Sequence, residues 1–308
     1  MDAELAAALI MFERGDPDDI ASERLRLRRL HADSGVRVPD GVEIIDLDPQ
    51  HPSAPPVRVR MYRPRRREGL TTCLLWLHGG AFAYGFAELD DDLCVRLAAD
   101  ADALVVSPEY RLSPEHHFPA GFDDCYATLE WLAREAHRFG GDASALAVGG
   151  SSAGGALAAG VCLKARDEHG PAIRQQILAC PVIDDRLQTA SMQTYTDSAV
   201  FDRREAELMW QRYLGPQHGS PPRYAAPGRE ADLSGLPPAY VLTAAEDPLR
   251  DEGVDYAVRL LLAGNTLELH HVAETFHSFD SIVPTAGVSQ RVYADYVAAL
   301  RRCHPEAQ

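Results

Sequence analysis

The stretch Leu146-Ala147-Val148-Gly149-Gly150-Ser151-Ser152-Ala153-Gly154-Gly155, followed by a helix-like run to Arg166, decides how this chain is read. A short apolar run, a glycine-flanked serine and then a helix-forming segment predict a strand, a tight turn and a helix, with Ser152 at the turn. Such a nucleophile elbow pushes the serine hydroxyl out of the fold, and the glycines leave room for the turned backbone and for a substrate. A bare G-x-S-x-G pattern arises by chance in roughly one chain of this length in ten. Its weight therefore depends on partners elsewhere in the sequence.

Working outward, short and nearly continuous apolar runs recur at Thr72 to Leu77, Leu104 to Ser107, Ile177 to Cys180, Ala239 to Thr243 and Leu267 to Val272. Runs of this kind predict strands buried on both faces. Between them, Phe122 to Phe139, Gly155 to Arg166, Asp251 to Ala263 and Val288 to Arg302 carry helical periodicity. Alternating β and α units imply an α/β fold with a mostly parallel sheet between helices. Val42 to Leu47 and Val57 to Tyr62 read as an edge hairpin or neighbouring strands. Residues 1–308 are expected to form one catalytic domain. Two segments, 1–40 and 189–226, stand outside the alternation and are candidates for a cap over the strand ends. In the second, Asp202 and Glu205 form a capping-box pattern that opens a helix to Leu214. Phe201, Met209, Trp210 and Tyr213 give it an apolar face, read either as ordinary core or as the lining of a substrate pocket.

Bulk properties narrow the function. With 308 residues and 46% hydrophobic content, the chain can bury a full core without crosslinks. A net charge of −16 and a single lysine, Lys164, argue against nucleic acid or an anionic membrane as partner. The arginine cluster from Arg63 to Arg67 is expected to be a solvated loop. No secretory leader or membrane-length apolar stretch is legible, so the chain reads as cytoplasmic. Six scattered cysteines with no C-x-x-C pair read as free buried thiols, and no metal site or cofactor is expected.

A serine hydroxyl needs a base to take its proton and a carboxylate to hold that base. After an elbow the acid is expected next in the chain and the histidine last. Asp247 follows the Tyr240 to Thr243 strand and precedes a helix, with Glu246 and Asp251 as rivals. His277 follows the Leu267 to Val272 strand by a short loop, whereas His270 and His271 lie within it. His78 opens His78-Gly79-Gly80-Ala81, a loop whose bare N–H groups could bind the oxyanion of acyl transfer, and is expected to hold that loop by hydrogen bonds. Gly80, Ala81 and Ala153 are the expected donors, with Gly79 serving turn geometry within the same oxyanion hole.

With these residues in place, the chain resembles the hormone-sensitive-lipase-like branch of the α/β-hydrolases, the family IV bacterial esterases. His78 to Ala81 is similar to the HGGG motif of that family, Gly150 to Gly155 to its GDSAGG, and Asp247 to Gly253 reads DPLRDEG. Glu109 to Trp131 and Phe276 to Phe279 also resemble family stretches. The resemblance implies an α/β-hydrolase fold with a two-part helical cap, Ser152 as nucleophile, Asp247 as orienting acid and His277 as base. It leaves a homodimer open. Ala81, Ser151 and Ser278 depart from the motifs, standing where the family usually has glycine, aspartate and glycine. The function expected is hydrolysis of small, fairly apolar esters of short to medium acyl chain, without cofactor. A lactone, a carbamate or an acylated natural product is the alternative substrate. The GGA form of the oxyanion loop resembles that of members accepting tertiary-alcohol esters. Retention of His277 weighs against a non-enzymatic receptor, a role that some plant relatives lacking this histidine have.

Overall fold

The computed structural model describes residues 1–51, 55–65 and 69–303. In chain order, helices α1 (Ala3–Leu9) and α2 (Ile20–Ser34) precede strands β1 (Val42–Leu47), β2 (Val59–Pro64) and β3 (Thr71–Leu77). There follow α3 (Asp91–Asp100), β4 (Ala103–Pro108), α4 (Ala120–Phe139), β5 (Gly141–Ser151), α5 (Ala153–Asp167) and β6 (Ile173–Ala179). Two further helices, α6 (Ala190–Thr194) and α7 (Arg203–Leu214), come before β7 (Ala239–Glu246). The chain closes with α8 (Arg250–Leu262), β8 (Leu267–Phe276), α9 (Phe279–Ile282) and α10 (Gly287–Arg301).

All eight strands join one sheet in the order β1-β2-β4-β3-β5-β6-β7-β8. Only β2 runs against the others, pairing antiparallel with β1 and β4. Strand alternation sorts the core onto two faces. Cys73, Leu75 and Leu77 join Phe122 and Leu129 of α4, Leu157 of α5 and Tyr256 of α8 on one side. Leu74 and Trp76 join Leu97 of α3 and Val292 and Tyr296 of α10 on the other. Both faces of the parallel strands are covered, which is why their sequences lack polar alternation.

The chain leaves β3 toward β4 on one side and returns through α4 to β5 on the other. The ends of β3 and β5 thus flank a topological switch point, the place where open α/β sheets hold their ligands. Several expectations need adjusting. β8 runs on to Phe276, so His277 comes directly off the strand and not after a loop. Arg63 is a β2 residue bonded to Glu43 at 2.7 Å, Arg65 donates to the Val42 carbonyl, and Arg66 and Arg67 lie outside the described residues. The capping box is formed in both directions between Asp202 and Glu205. All six cysteines are buried and unpaired. No helix among the described residues is long and apolar enough to cross a membrane.

Candidate active site

Strand β5 ends at Ser151, and Ser152 turns the chain into α5 with φ 55° and ψ −117°. That is a costly conformation for an L-residue, and close packing enforces it. The Ser152 N–H donates to the Ala179 carbonyl at 2.8 Å, and the Val182 N–H donates to the Ser152 carbonyl at 3.1 Å. A Cβ on Gly154 would lie 1.9 Å from the Leu77 carbonyl oxygen, and one on Gly150 would lie 2.4 Å from that of Gly154. Glycine at these two positions lets the elbow press against β3.

Three strand ends then converge. His277 Nε2 lies 2.9 Å from Ser152 Oγ. On the other side of the ring, Nδ1 lies 2.8 Å from Asp247 Oδ2, while Asp247 Oδ1 accepts the Leu249 N–H at 2.9 Å. A carboxylate can only accept, so the imidazole proton sits on Nδ1 and the Nε2 lone pair faces the serine hydroxyl. Exposure is low throughout: 6% for Ser152, 5% for His277 and 1% for Asp247. The rivals are engaged elsewhere. Glu246 lies 3.5 Å from the N-terminal amine, and Asp251 accepts the Ser191 N–H at 2.7 Å. His270 pairs with Asp295 at 3.1 Å, and His271 with the Thr243 hydroxyl at 3.0 Å.

Beside the serine runs the loop leaving β3. A Cβ on Gly79 would stand 3.6 Å from Ser152 Cβ, so the loop abuts the elbow. The N–H groups of Ala83 and Tyr84 return to the Gly80 carbonyl. Those of Gly79, Gly80 and Ala81, like that of Ala153, have no acceptor among the described residues. Gly80, Ala81 and Phe82 all take positive φ, at 109°, 52° and 57°. His78 is fully buried and stacks on Tyr110 with ring centroids 4.1 Å apart. Its Nδ1 lies 2.8 Å from the Gly79 carbonyl. Burial lowers its pKa to about 4, so the neutral ring donates from Nδ1 and braces the loop.

The remaining sequence candidates divide. Phe201 sits against the imidazole of His277, centroids 5.0 Å apart. Tyr213 stacks on Phe82 at 3.7 Å, and Trp210 lies 5.9 Å from the same ring. Met209 is buried in the core on that side of the sheet. Ser151 is 5% exposed and adds no charge beside the hydroxyl. Ser278 takes φ 57° and ψ 28°, the left-handed conformation that suits a glycine. One group of three metal-capable atoms converges among the described residues, from Cys180, Asp247 and His277, all within 4.8 Å of one another. Two of the three already bond each other, and burial holds the Cys180 thiol well above its usual pKa. Sequence reasoning gave no role to Tyr110, Ser113, Arg24 or Glu252. Tyr110 and Ser113 lie in the Glu109 to Trp131 stretch that carries the resemblance, which was the available signal. Volume is a poor guide here. A cleft of about 900 Å³ bordered by Ile173, Ala239 and Thr266 opens at the N-terminal ends of β6 to β8, opposite the serine.

A hydroxyl, an imidazole and a carboxylate linked in this order, with free N–H donors nearby, can run acyl transfer. Comparisons with known proteins agree. A family model for the α/β-hydrolase fold matches residues 74–281. The chain is 35% identical over 283 residues to esterase LipI of Mycobacterium tuberculosis, covering 90% of this chain and 87% of the relative. It is 32% identical over 297 residues to the ethyl acetate hydrolase of Pseudomonas putida, covering 91% and 92%. Among solved structures, a bacterial heroin esterase superposes with a TM-score of 0.94 at 43% identity, covering 98% of both chains.

Proposed function

The chain belongs to the α/β-hydrolase family, and from that premise we propose that it is a serine carboxylesterase acting on small, fairly apolar esters through an acyl-serine intermediate. The observation carrying the reading is the position of His277, 2.9 Å from Ser152 Oγ and 2.8 Å from Asp247. Ser152 Oγ attacks the ester carbonyl while His277 Nε2 takes its proton. The oxygen becomes an anion facing the N–H groups of Gly80, Ala81 and Ala153, with Gly79 shaping the turn, and each donor contributes about 10²- to 10³-fold in rate. Collapse expels the alcohol, which leaves with the proton from His277, and the acyl group stays on Ser152. Water then attacks the acyl-serine, giving its proton to His277, and the carboxylic acid departs.

His78 takes no part as a base: its ring is fully buried with Nδ1 on the Gly79 carbonyl, and it is His277 that meets Ser152 Oγ. Phe82, Phe201, Trp210 and Tyr213 supply an aromatic surround suited to small apolar groups. In the same reading, α1 and α2 together with the segment carrying α6 and α7 form the cap. Arg14 joins its two parts, donating to the Ser198 carbonyl at 2.9 Å and to Asp202 at 2.6 Å. Six buried thiols suit a reducing compartment, and we assign the enzyme to the cytoplasm. Relatives named as esterases and carboxylesterases favour an ester over a lactone or carbamate.

The test is hydrolysis of p-nitrophenyl acetate with Ser152→Ala beside the wild type. The variant is expected to lose at least about 10⁴-fold in kcat. A fluorophosphonate should label the wild type at Ser152 alone. Activity surviving the substitution, or label on another residue, sinks the assignment.

A further inference from the structure

We propose that Arg24, on the N-terminal helix α2, is a positioning residue that holds the oxyanion loop in its working conformation. The proposal rests on the esterase reading above. The Arg24 guanidinium is one fork shared by three acceptors. Its Nε donates to the Ala83 carbonyl at 2.7 Å and its Nη2 to the Ser113 carbonyl at 3.0 Å. Nη1 and Nη2 clasp the two oxygens of Glu115, both at 2.8 Å. That carboxylate fixes the plane of the fork, and the hydrogen bonds from Arg24 in turn hold the Glu115 carboxyl below its usual pKa. Ser113 returns the grip, donating its N–H and its hydroxyl to the Phe82 carbonyl at 2.9 and 3.1 Å.

These ties have a common logic. The loop carries two consecutive non-glycine residues, Ala81 and Phe82, at positive φ, a conformation that costs about 1–2 kcal/mol per residue. Within the loop, the Gly80 carbonyl accepts the Ala83 and Tyr84 N–H groups at 3.0 and 2.7 Å. Four further carbonyls along it are also taken: His78 by the Tyr110 hydroxyl, Gly79 by the His78 ring, Phe82 by Ser113 and Ala83 by Arg24. With those carbonyls held, the peptide planes are set and the free N–H groups have a fixed direction. Among the ties to the carbonyls of the loop, Arg24 comes from farthest away in sequence. Helix α2 contributes no fully buried residue; beside the contacts of Arg28 and His31 with the Phe86 ring, Arg24 supplies its ties to the oxyanion loop. Tyr84, next along the loop, is held in the same way, donating to the Pro17 carbonyl at 3.2 Å and accepting from Arg212 of α7 at 3.1 Å.

The experiment compares wild type, Arg24→Ala and Arg24→Gln for kcat and KM on p-nitrophenyl acetate, for the rate of fluorophosphonate labelling, and for thermal midpoint. Misplaced donors act on the transition state, so kcat is expected to fall about tenfold with KM within about twofold. The labelling rate should fall in parallel, because phosphonylation builds the same negative oxygen. Millimolar guanidinium should restore part of the activity of Arg24→Ala by refilling the fork. A kcat within about twofold of wild type in both variants overturns the proposal, as does a rise in KM at unchanged kcat. So does a loss that follows the thermal midpoint and resists guanidinium. None of these results touches the esterase reading, which falls only if wild-type Ser152 is itself inert.

Discussion

Ser152, Asp247 and His277 are set by the backbone of the sheet, whereas the loop from Gly79 to Ala83 that faces them is set by side chains from elsewhere. The first three leave the C-terminal ends of β5, β7 and β8, strands whose pairings run nearly to the residues in question. Register alone brings them to one edge. The loop has no such ladder. Its shape depends on the His78 ring, the Tyr110 hydroxyl, Ser113 and Arg24, spread over some ninety residues in helix α2 and the loops after β3 and β4. In the proposed esterase, rigid elements thus position the groups assigned to move protons, and a web of hydrogen bonds positions the groups assigned to bind the developing charge.

The sharpest way to break this comparison is on the strand side. Asp247→Asn keeps the shape of the site but presents an amide N–H to His277 Nδ1, driving the ring proton to Nε2 and removing the base. A loss of about 10⁴-fold in kcat near neutral pH is expected in steady-state assays. A loss of tenfold or less would mean that another carboxylate orients the ring. On the loop side the effect should be graded, because several ties share the work. Ser113→Ala removes the hydroxyl bond to Phe82 and leaves the N–H bond. One hydrogen bond of about 1 kcal/mol corresponds to a kcat about fivefold lower with KM steady. A far larger loss would show that the ties act as one unit.

The same contrast decides what the sequence made legible. Strands buried on both faces write themselves as apolar runs, and the elbow, Asp247 and His277 lie next to such runs, so the sheet and its three polar ends could be read directly. The end of β8 could not. It is an edge strand with Ala273 and Glu274 exposed, so the apolar run stops at Val272 although pairing continues to Phe276. Helix α3 escaped because it is only ten residues long and begins with three aspartates in a row, Asp90 to Asp92. Arg24 left no trace at all. A side chain that reaches a loop 59 residues away by hydrogen bonds has no period and no motif, and only the folded molecule reveals it.

Glu252 allows the smallest and most discriminating test, because it braces the strand side without touching the reaction. On α8, its Oε1 accepts the Ile183 N–H at 2.7 Å and that of Asp184 at 3.2 Å, while Oε2 is buried without a partner. Burial raises its pKa well above the usual 4.5, with Asp184 and Asp247 pushing in the same direction. The folded state therefore keeps a proton that the unfolded chain releases. Its contribution to stability is complete below about pH 4.5 and is lost as pH rises toward the folded pKa, by up to about 1.4 kcal/mol per pH unit. Glu252→Gln keeps the acceptor and cannot titrate. Urea unfolding at pH 5 and at pH 7.5 should thus show the variant gaining on the wild type as pH rises, with kcat within about twofold at both. A stability difference that stays flat between the two pH values would mean that the carboxyl is already ionised when folded. The ground behind Asp247 would then carry a second buried negative charge, and strand register alone would not account for how that corner of the site is held.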